Sequence, residues 1–179
     1  MLKRGLALFF AIGFAITELG ISTNKHVVEK KRIKQHVDTV QVQNEYLFHQ
    51  FVIALAYVES RHKGYVTSDN NADGQRSYGW VQITPIFVKQ ANINKHRHET
   101  GKFTNTPPKY YTINDAYSIE KSKEMIRWVN KDLFAKYDKN SLKYDNELWH
   151  NIIKVHNPRA KSAYRNEIMR LYMAYTDSL

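Results

Sequence analysis

The residue best placed to do chemistry is a glutamate at the end of an apolar helical stripe. Phe48, Val52, Leu55 and Glu59 are spaced four, three and four residues apart, so on a helix they share one face. Burying a carboxylate is costly unless the group is paired or neutralised. We therefore expect the Glu59 carboxyl to keep its proton near neutral pH and to act as a general acid towards a leaving oxygen.

The pattern alone leaves a second interpretation of Glu59 open. It could be an exposed glutamate in the last turn of the helix, or it could pair with Arg61 or a distant lysine, since structural ion pairs also place acids there. The neighbours Ser60, Arg61 and His62 indicate a helix end that opens towards solvent. The acid would then lie at the rim of the core.

The rest of the chain predicts a mainly α domain that would position this acid. Residues 64–83 contain three glycines and clusters of turn residues, which indicate an irregular loop or small hairpin beside a cleft. The polar residues 94–112 predict a long surface loop. Helices are predicted over 44–60, from Thr84-Pro85 towards Ile93, from Asn114 or Asp115 through Ile119, Ile126, Val129 and Leu133, over 146–156, and over 162–175.

The first residues indicate export. Lys3-Arg4 precede an apolar run over residues 5–16, which is shorter than the roughly 20 residues of an ordinary membrane span and suits a signal peptide. We therefore predict a leader over 1–17, a basic linker or exposed helix start over 18–43, and one domain over 44–179. The protein would be periplasmic or secreted, or held at the membrane by an uncleaved leader.

The composition limits the classes of partner that the protein can bind and the kinds of catalytic or metal site that it can form. The formal charge of +10 favours anionic partners such as cell-wall polymers. No cysteine is present, so disulfides, thiolate nucleophiles and Cys-based zinc sites are excluded. None of the eight histidines forms a metal-binding pair on a helix face, and no Gly-x-Ser-x-Gly elbow occurs. We predict no metal, no cofactor and no nucleic-acid partner.

Longer motifs give Glu59 a specific context. The segments Tyr57-Val58-Glu59-Ser60-Arg61 and Tyr78-Gly79-Trp80-Val81-Gln82-Ile83-Thr84-Pro85 lie about twenty residues apart. Together they resemble the soluble lytic transglycosylases of the goose-type lysozyme-like superfamily. Weaker similarity follows at Asp115-Ala116-Tyr117-Ser118-Ile119 and at Lys154-Val155-His156-Asn157 with Tyr164. The resemblance implies an α+β lysozyme-like fold and cleavage of peptidoglycan.

The resemblance also implies roles for individual residues. Glu59 would be the general acid and then the general base, while Ser60 would hold the glutamate region by hydrogen bonding. Gly79 would let the backbone approach the glycan, and Gln82 would contact a sugar. Further substrate-binding positions would be Tyr78, Tyr117, His156, Asn157 and Tyr164.

Two positions depart from the family pattern. His156 stands where the family usually has tyrosine, and Pro158-Arg159 replaces a glycine-containing continuation. These departures keep open a non-catalytic glycan-binding protein on the same fold. An accidental motif match in a basic adhesion or nucleic-acid-binding protein is the remaining alternative.

The resemblance implies transglycosylation with a single carboxylate, in which the muramic acid C6 hydroxyl attacks and an anhydromuramyl end forms. Hydrolysis by a muramidase would need a second acid. Asp69 and Asp73 are the candidates nearest in sequence, although turn formation explains both adequately. Peptidoglycan glycan strands would be the partner of a monomeric enzyme, with a cell-envelope or secretion machine as a possible further partner.

Overall fold

The computed structural model describes residues 3–68, 75–140 and 142–177. The predicted turn residues Asp69, Asp73 and Gly74 lie outside these ranges. The chain divides into two units, Met1–Val42 and Gln43–Leu179.

The described residues are mainly helical, which confirms the predicted class. Within them β structure is limited to two isolated antiparallel bridges, Thr67 with Tyr78 and Tyr78 with Ile83. A short 3-10 helix, Ile113–Tyr117, precedes α3. The six α-helices are α1 Lys3–Ser60, α2 Pro85–Thr100, α3 Ile119–Val129, α4 Lys131–Lys139, α5 Asn146–His156 and α6 Ser162–Thr176.

The first unit contains the amino-terminal part of α1. The segment 18–43, for which a linker and a helix start were both considered, is helical. Its residues 27–35 are exposed, in agreement with their polar and basic character. Across the parts of the chain that the structure describes, no helix combines the length and apolar character that membrane crossing requires.

The core of the second unit is built on the carboxyl-terminal part of α1. The predicted stripe residues Phe48, Val52 and Leu55 are fully buried. Trp149 of α5 stacks on Phe51, with ring centroids 4.6 Å apart and planes 12° apart. Because large aromatic side chains bury much apolar area and favour stacked or edge-on contacts, this packing fixes α5 against the end of α1.

The amino-terminal ends of α2 and α5 are each fixed by a capping side chain. The Thr84 hydroxyl accepts a hydrogen bond from the Phe87 N–H at 3.2 Å, and Pro85 opens α2, as predicted. Asp145 caps α5 in the same way, through the Leu148 N–H at 3.0 Å. The predicted ends of α5 and α6 are also confirmed to within a residue.

Two predicted boundaries were wrong. The surface loop predicted over 94–112 begins only after Thr100, because α2 continues until Gly101 takes a left-handed φ of 70° and its N–H bonds to the Arg97 carbonyl. Neither Asn114 nor Asp115 caps the long helix that follows. Both lie in the 3-10 helix, and the Ser118 hydroxyl caps α3 through Lys121.

The predicted continuous helix through Leu133 is divided at Asn130. This residue is buried, and its side-chain amide donates to the Ile126 carbonyl at 2.9 Å. The backbone of Asn130, with φ of −105° and ψ of 22°, leaves the helical conformation, so α3 ends and α4 begins at Lys131. Ile126 is fully buried, whereas Ile119, Val129 and Leu133 are partly buried.

Two buried asparagines hold loop backbones to the core. The Asn92 amide donates to the Tyr111 carbonyl at 2.9 Å, and its oxygen accepts from the Tyr111 N–H at 2.8 Å. The Asn44 amide donates to the Leu142 carbonyl, and its oxygen accepts from the Tyr144 N–H, both at 2.8 Å. Asn92 thus satisfies two buried backbone groups, and Asn44 satisfies one buried and one partly buried group.

We expect Asn92→Ala to lower the free energy of unfolding by about 2 kcal/mol, because two buried backbone groups at Tyr111 lose their partners. Urea denaturation monitored by circular dichroism measures this loss. The matched control is Asn114→Ala, since Asn114 is exposed and should tolerate the change within about 0.5 kcal/mol. Equal stabilities of the two variants would contradict the assigned role of Asn92.

Candidate active site

The candidate acid lies where α1 ends in an unusual backbone turn. Arg61 and His62 both adopt left-handed conformations, with φ of 54° and 60°. The Arg61 N–H bonds to the Tyr57 carbonyl at 2.9 Å, which caps the helix without the usual glycine. Non-glycine residues pay roughly 1 kcal/mol or more for this conformation, and such strain clusters at functional sites. The helix therefore stops directly after Glu59-Ser60, at the end of the predicted range 44–60.

Glu59 is held by Tyr164 of α6. The Tyr164 hydroxyl donates a hydrogen bond to Oε1 of Glu59, and the glutamate side chain is only 16% exposed. Burial, together with the nearby negative charge of Glu59, raises the pKa of Tyr164 far above its usual value. Tyr164 consequently remains a neutral hydroxyl donor.

His156, the last residue of α5, contacts the same carboxyl oxygen. Its Nε2 lies 3.6 Å from Oε1 of Glu59, and its side chain is 4% exposed. The edge of its ring packs against Phe87 of α2, with a centroid separation of 5.5 Å and an interplanar angle of 76°. Residues from α1, α2, α5 and α6 thus meet around one carboxyl group.

A groove of about 600 Å³ opens beside Glu59. Half of its described lining residues are neutral and polar, five are apolar, and Glu59 is the only acidic residue among them. Carbohydrates are bound by such surfaces because their hydroxyls need several donors and acceptors. The groove is lined by Glu59, Gln75, Ser77, Gln82, Thr84, Ile86, Phe87, Gln90, Val129, Val155, His156, Asn157, Pro158 and Arg159.

The end of α1 is fixed to the neighbouring loop by Ser60. Its buried hydroxyl lies 2.8 Å from the Trp80 carbonyl and 2.9 Å from the Ala56 carbonyl, so its single proton is within reach of both the loop and its own helix. The Trp80 indole N–H in turn donates to the Tyr117 carbonyl at 3.0 Å. Ser60 contacts the loop rather than the groove, and this contact holds the residue next to Glu59 in place.

Gln82 adopts a left-handed conformation at the edge of the groove, with φ of 52°. Its side-chain amide donates to the Gly79 carbonyl at 3.0 Å and lies 3.3 Å from the Val66 carbonyl. Because both amide hydrogens are directed at the loop backbone, the side-chain oxygen is the group that could accept a hydrogen bond from a ligand. Gln82 therefore shapes the loop as well as lining the groove.

Gly79 has a structural reason to be glycine. Its φ is 74°, and a Cβ atom built there would lie 1.8 Å from the Ala116 carbonyl oxygen. The close approach is to the protein backbone, and Gly79 is not among the groove-lining residues. Gly79 was expected to let the backbone approach a glycan. The contact with Ala116 explains why this residue is glycine without invoking a glycan.

The structure brings some of the predicted site residues together and leaves others apart. Glu59, Gln82, His156 and Asn157 line the groove, with Tyr164 bonded to the acid from α6. Tyr78 and Tyr117 do not line it; their rings pack edge to face with centroids 6.5 Å apart.

Several groove residues were missed by the sequence analysis. Ile86 and Gln90 are four residues apart, so the spacing could have indicated one face of α2 beside the motif. Gln75 and Ser77 follow residues 69–74, which lie outside the described ranges, and carry no comparable signal. Ile86 is 61% exposed, which gives the groove an apolar edge.

The described residues contain no group of three or more histidine, aspartate or glutamate side chains arranged to hold a metal ion. His96, one of the histidines considered for metal binding, instead lies 3.3 Å from the Tyr110 hydroxyl through its Nδ1 atom.

Comparison with known proteins provides no assignment: no protein-family model, no curated protein and no solved structure matches this chain.

We expect Gly79→Ala to destabilise the protein far more than Gly101→Ala. Both glycines have a left-handed φ, but an added Cβ at Gly101 meets nothing within 4 Å. In the Gly101 variant the free energy of unfolding should fall by only about 1 kcal/mol, the conformational cost of a left-handed φ in a residue with a Cβ atom. The Gly79 variant must also displace the Ala116 backbone. Urea denaturation of both variants measures the difference; losses of equal size would contradict the close contact.

Proposed function

We propose that this protein is a peptidoglycan lytic transglycosylase that cleaves the bond between N-acetylmuramic acid and N-acetylglucosamine, with Glu59 as its single general acid and base. We further propose an α+β lysozyme-like arrangement and export to the cell envelope as the setting of that activity. The substrate would be the glycan strands themselves, with no cofactor.

The observation that carries the proposal is the environment of the Glu59 carboxyl. It is largely sheltered, bonded by a neutral tyrosine hydroxyl and placed at the side of a groove whose other described lining residues include no acid. A sheltered carboxyl beside a polar groove suits proton transfer to a glycosidic oxygen. The motif resemblance supplies the choice of peptidoglycan.

In the proposed reaction Glu59 donates one proton and then accepts another. Glu59 protonates the glycosidic oxygen as the bond from that oxygen to the muramic acid C1 breaks, and the substrate N-acetyl group supports the cationic centre. Glu59 then accepts the proton of the C6 hydroxyl while the C6 oxygen bonds to C1. The products are an anhydromuramyl end and a free N-acetylglucosamine hydroxyl, and no water is consumed.

Hydrolysis is the competing reaction at the same bond. It requires a second carboxylate to activate water on the opposite face of the sugar. Within the described part of the groove Glu59 stands without such a partner, which favours attack by the substrate's own hydroxyl. Asp69 and Asp73 lie outside the described residues, so their role is addressed by experiment.

We expect Glu59→Gln to lower kcat on purified peptidoglycan by about a hundredfold or more, because general acid catalysis is lost. Mass spectrometry of the released fragments should detect anhydromuramyl ends from the unmodified chain and almost none from the variant. Pelleting with insoluble peptidoglycan should remain unchanged, since glutamine preserves the shape of the side chain.

Glu120→Gln provides the matched control for loss of a negative charge. Glu120 is exposed at the start of α3, pairs with Lys123 and does not line the groove, so its replacement should leave turnover unchanged. Full activity in Glu59→Gln would refute the proposal. Reducing ends in place of anhydromuramyl ends would assign a muramidase, and binding without any fragments would assign a non-catalytic glycan-binding protein.

We expect Asp73→Asn to retain kcat within about threefold, since the composition of residues 69–74 predicts a turn-forming rather than a catalytic role for this aspartate. The same digest, with initial rates of fragment release, measures the effect. A loss comparable to that of Glu59→Gln would indicate that Asp73 activates water and would favour hydrolysis.

A further inference from the structure

We propose that His156 is a positioning residue for Glu59: its neutral ring, protonated at Nε2, directs that N–H at Oε1 of Glu59 and holds the carboxyl in place together with Tyr164. The inference deepens the proposed function and rests on it for the catalytic consequence. The position of the proton on the ring can be tested without any activity.

The ring of His156 lies beside the carboxyl group of Glu59. His156 Nε2 lies 3.6 Å from Oε1 of Glu59, and no other carboxyl group lines the described part of the groove. The separation is slightly longer than a hydrogen bond. Hydrogen bonds in catalytic sites are often long without substrate and shorten when substrate binds. A short movement of either side chain would bring the two atoms within bonding distance.

The other ring nitrogen of His156, Nδ1, indicates which nitrogen carries the proton. His156 Nδ1 is buried and has no hydrogen-bond partner among the described residues. A proton on Nδ1 would leave a buried N–H without an acceptor, which costs about 1–3 kcal/mol. A charged ring would incur the same cost, because both of its nitrogens carry protons. The neutral ring with its proton on Nε2 places its only N–H towards the carboxyl group.

The packing around His156 restrains the orientation of its ring. The edge-on contact with Phe87 and the 4% exposure of the side chain leave little room for rotation. His156 also ends α5, whose Trp149 lies in the centre of the core. The imidazole is therefore attached to a rigid element, as a group that fixes another side chain must be.

Tyr164 and His156 approach the same oxygen from different helices. Tyr164 belongs to α6 and His156 to α5, and both contact Oε1 of Glu59. With two neutral donors on Oε1, the other carboxyl oxygen, Oε2, is the atom that would carry the proton given to a substrate. His156 thus acts through Glu59 and need not touch the reacting bond.

Long-range 1H–15N NMR of the 15N-labelled full chain tests the position of the proton. Near neutral pH we expect a His156 ring with a protonated Nε2 and an unprotonated Nδ1, identified by its disappearance in His156→Gln. In Glu59→Ala the two nitrogens should shift towards the averaged values of mixed tautomers, because the acceptor is gone. A proton on Nδ1 or a charged ring in the unmodified chain, or no change in Glu59→Ala, would overturn the inference.

A pair of amide substitutions tests the positioning role. Glutamine extends its amide nitrogen about as far as Nε2, whereas asparagine extends it only about as far as Nδ1. We expect His156→Gln to keep kcat within about threefold, and His156→Asn to lose about tenfold in kcat with little change in KM, the equivalent of one hydrogen bond. Thermal unfolding of both variants controls for loss of folding.

The outcomes separate this inference from the proposed function. Equal kcat values for the glutamine and asparagine variants, whether both unchanged or both reduced, would overturn the positioning role while leaving transglycosylation intact. If the unmodified chain releases no anhydromuramyl ends, the proposed function fails, and the NMR measurement alone decides how His156 is protonated.

Discussion

The hydrogen bond from Tyr164 to Glu59 is the contact on which the candidate site depends. It joins residues 105 positions apart and connects the end of α1 to α6 beside the groove. Tyr164 can serve as a donor because burial and the neighbouring carboxyl keep its pKa high. Without this donor the Glu59 carboxyl would need another buried partner or would turn towards solvent, and in either case it would no longer be directed at the groove.

The surrounding structure makes that contact possible through a small number of fixed elements. α1 stops directly after Ser60 because Arg61 and His62 take left-handed conformations, and the Ser60 hydroxyl ties this end to the Trp80 carbonyl. On the other side, Trp149 fixes α5 in the core. The acid is consequently held by rigid helices, whereas the groove beside it is lined largely by polar side chains that have room for a ligand.

The proposed function and the role proposed for His156 both follow from how Glu59 is partnered. Among the described residues, the side chains that contact the Glu59 carboxyl are a tyrosine and a histidine rather than a lysine or an arginine, so it is not committed to an ion pair with a permanent cation. It therefore remains available for proton transfer. The imidazole at position 156 lies where the resembling family usually has tyrosine, and it offers an N–H in place of a hydroxyl.

The sequence by itself determined the mainly helical class, the buried stripe that leads to Glu59, the helix start capped by Thr84 and the range of the helix over 146–156, because these depend on local spacing and on a cap that bonds within one turn. Only the tertiary structure decided that Gly79 serves the Ala116 backbone, since this depends on how two segments meet. The same is true of the site. Sequence spacing identified the acid, but the approach of its two partners from α5 and α6 depends on packing between helices that are distant along the chain.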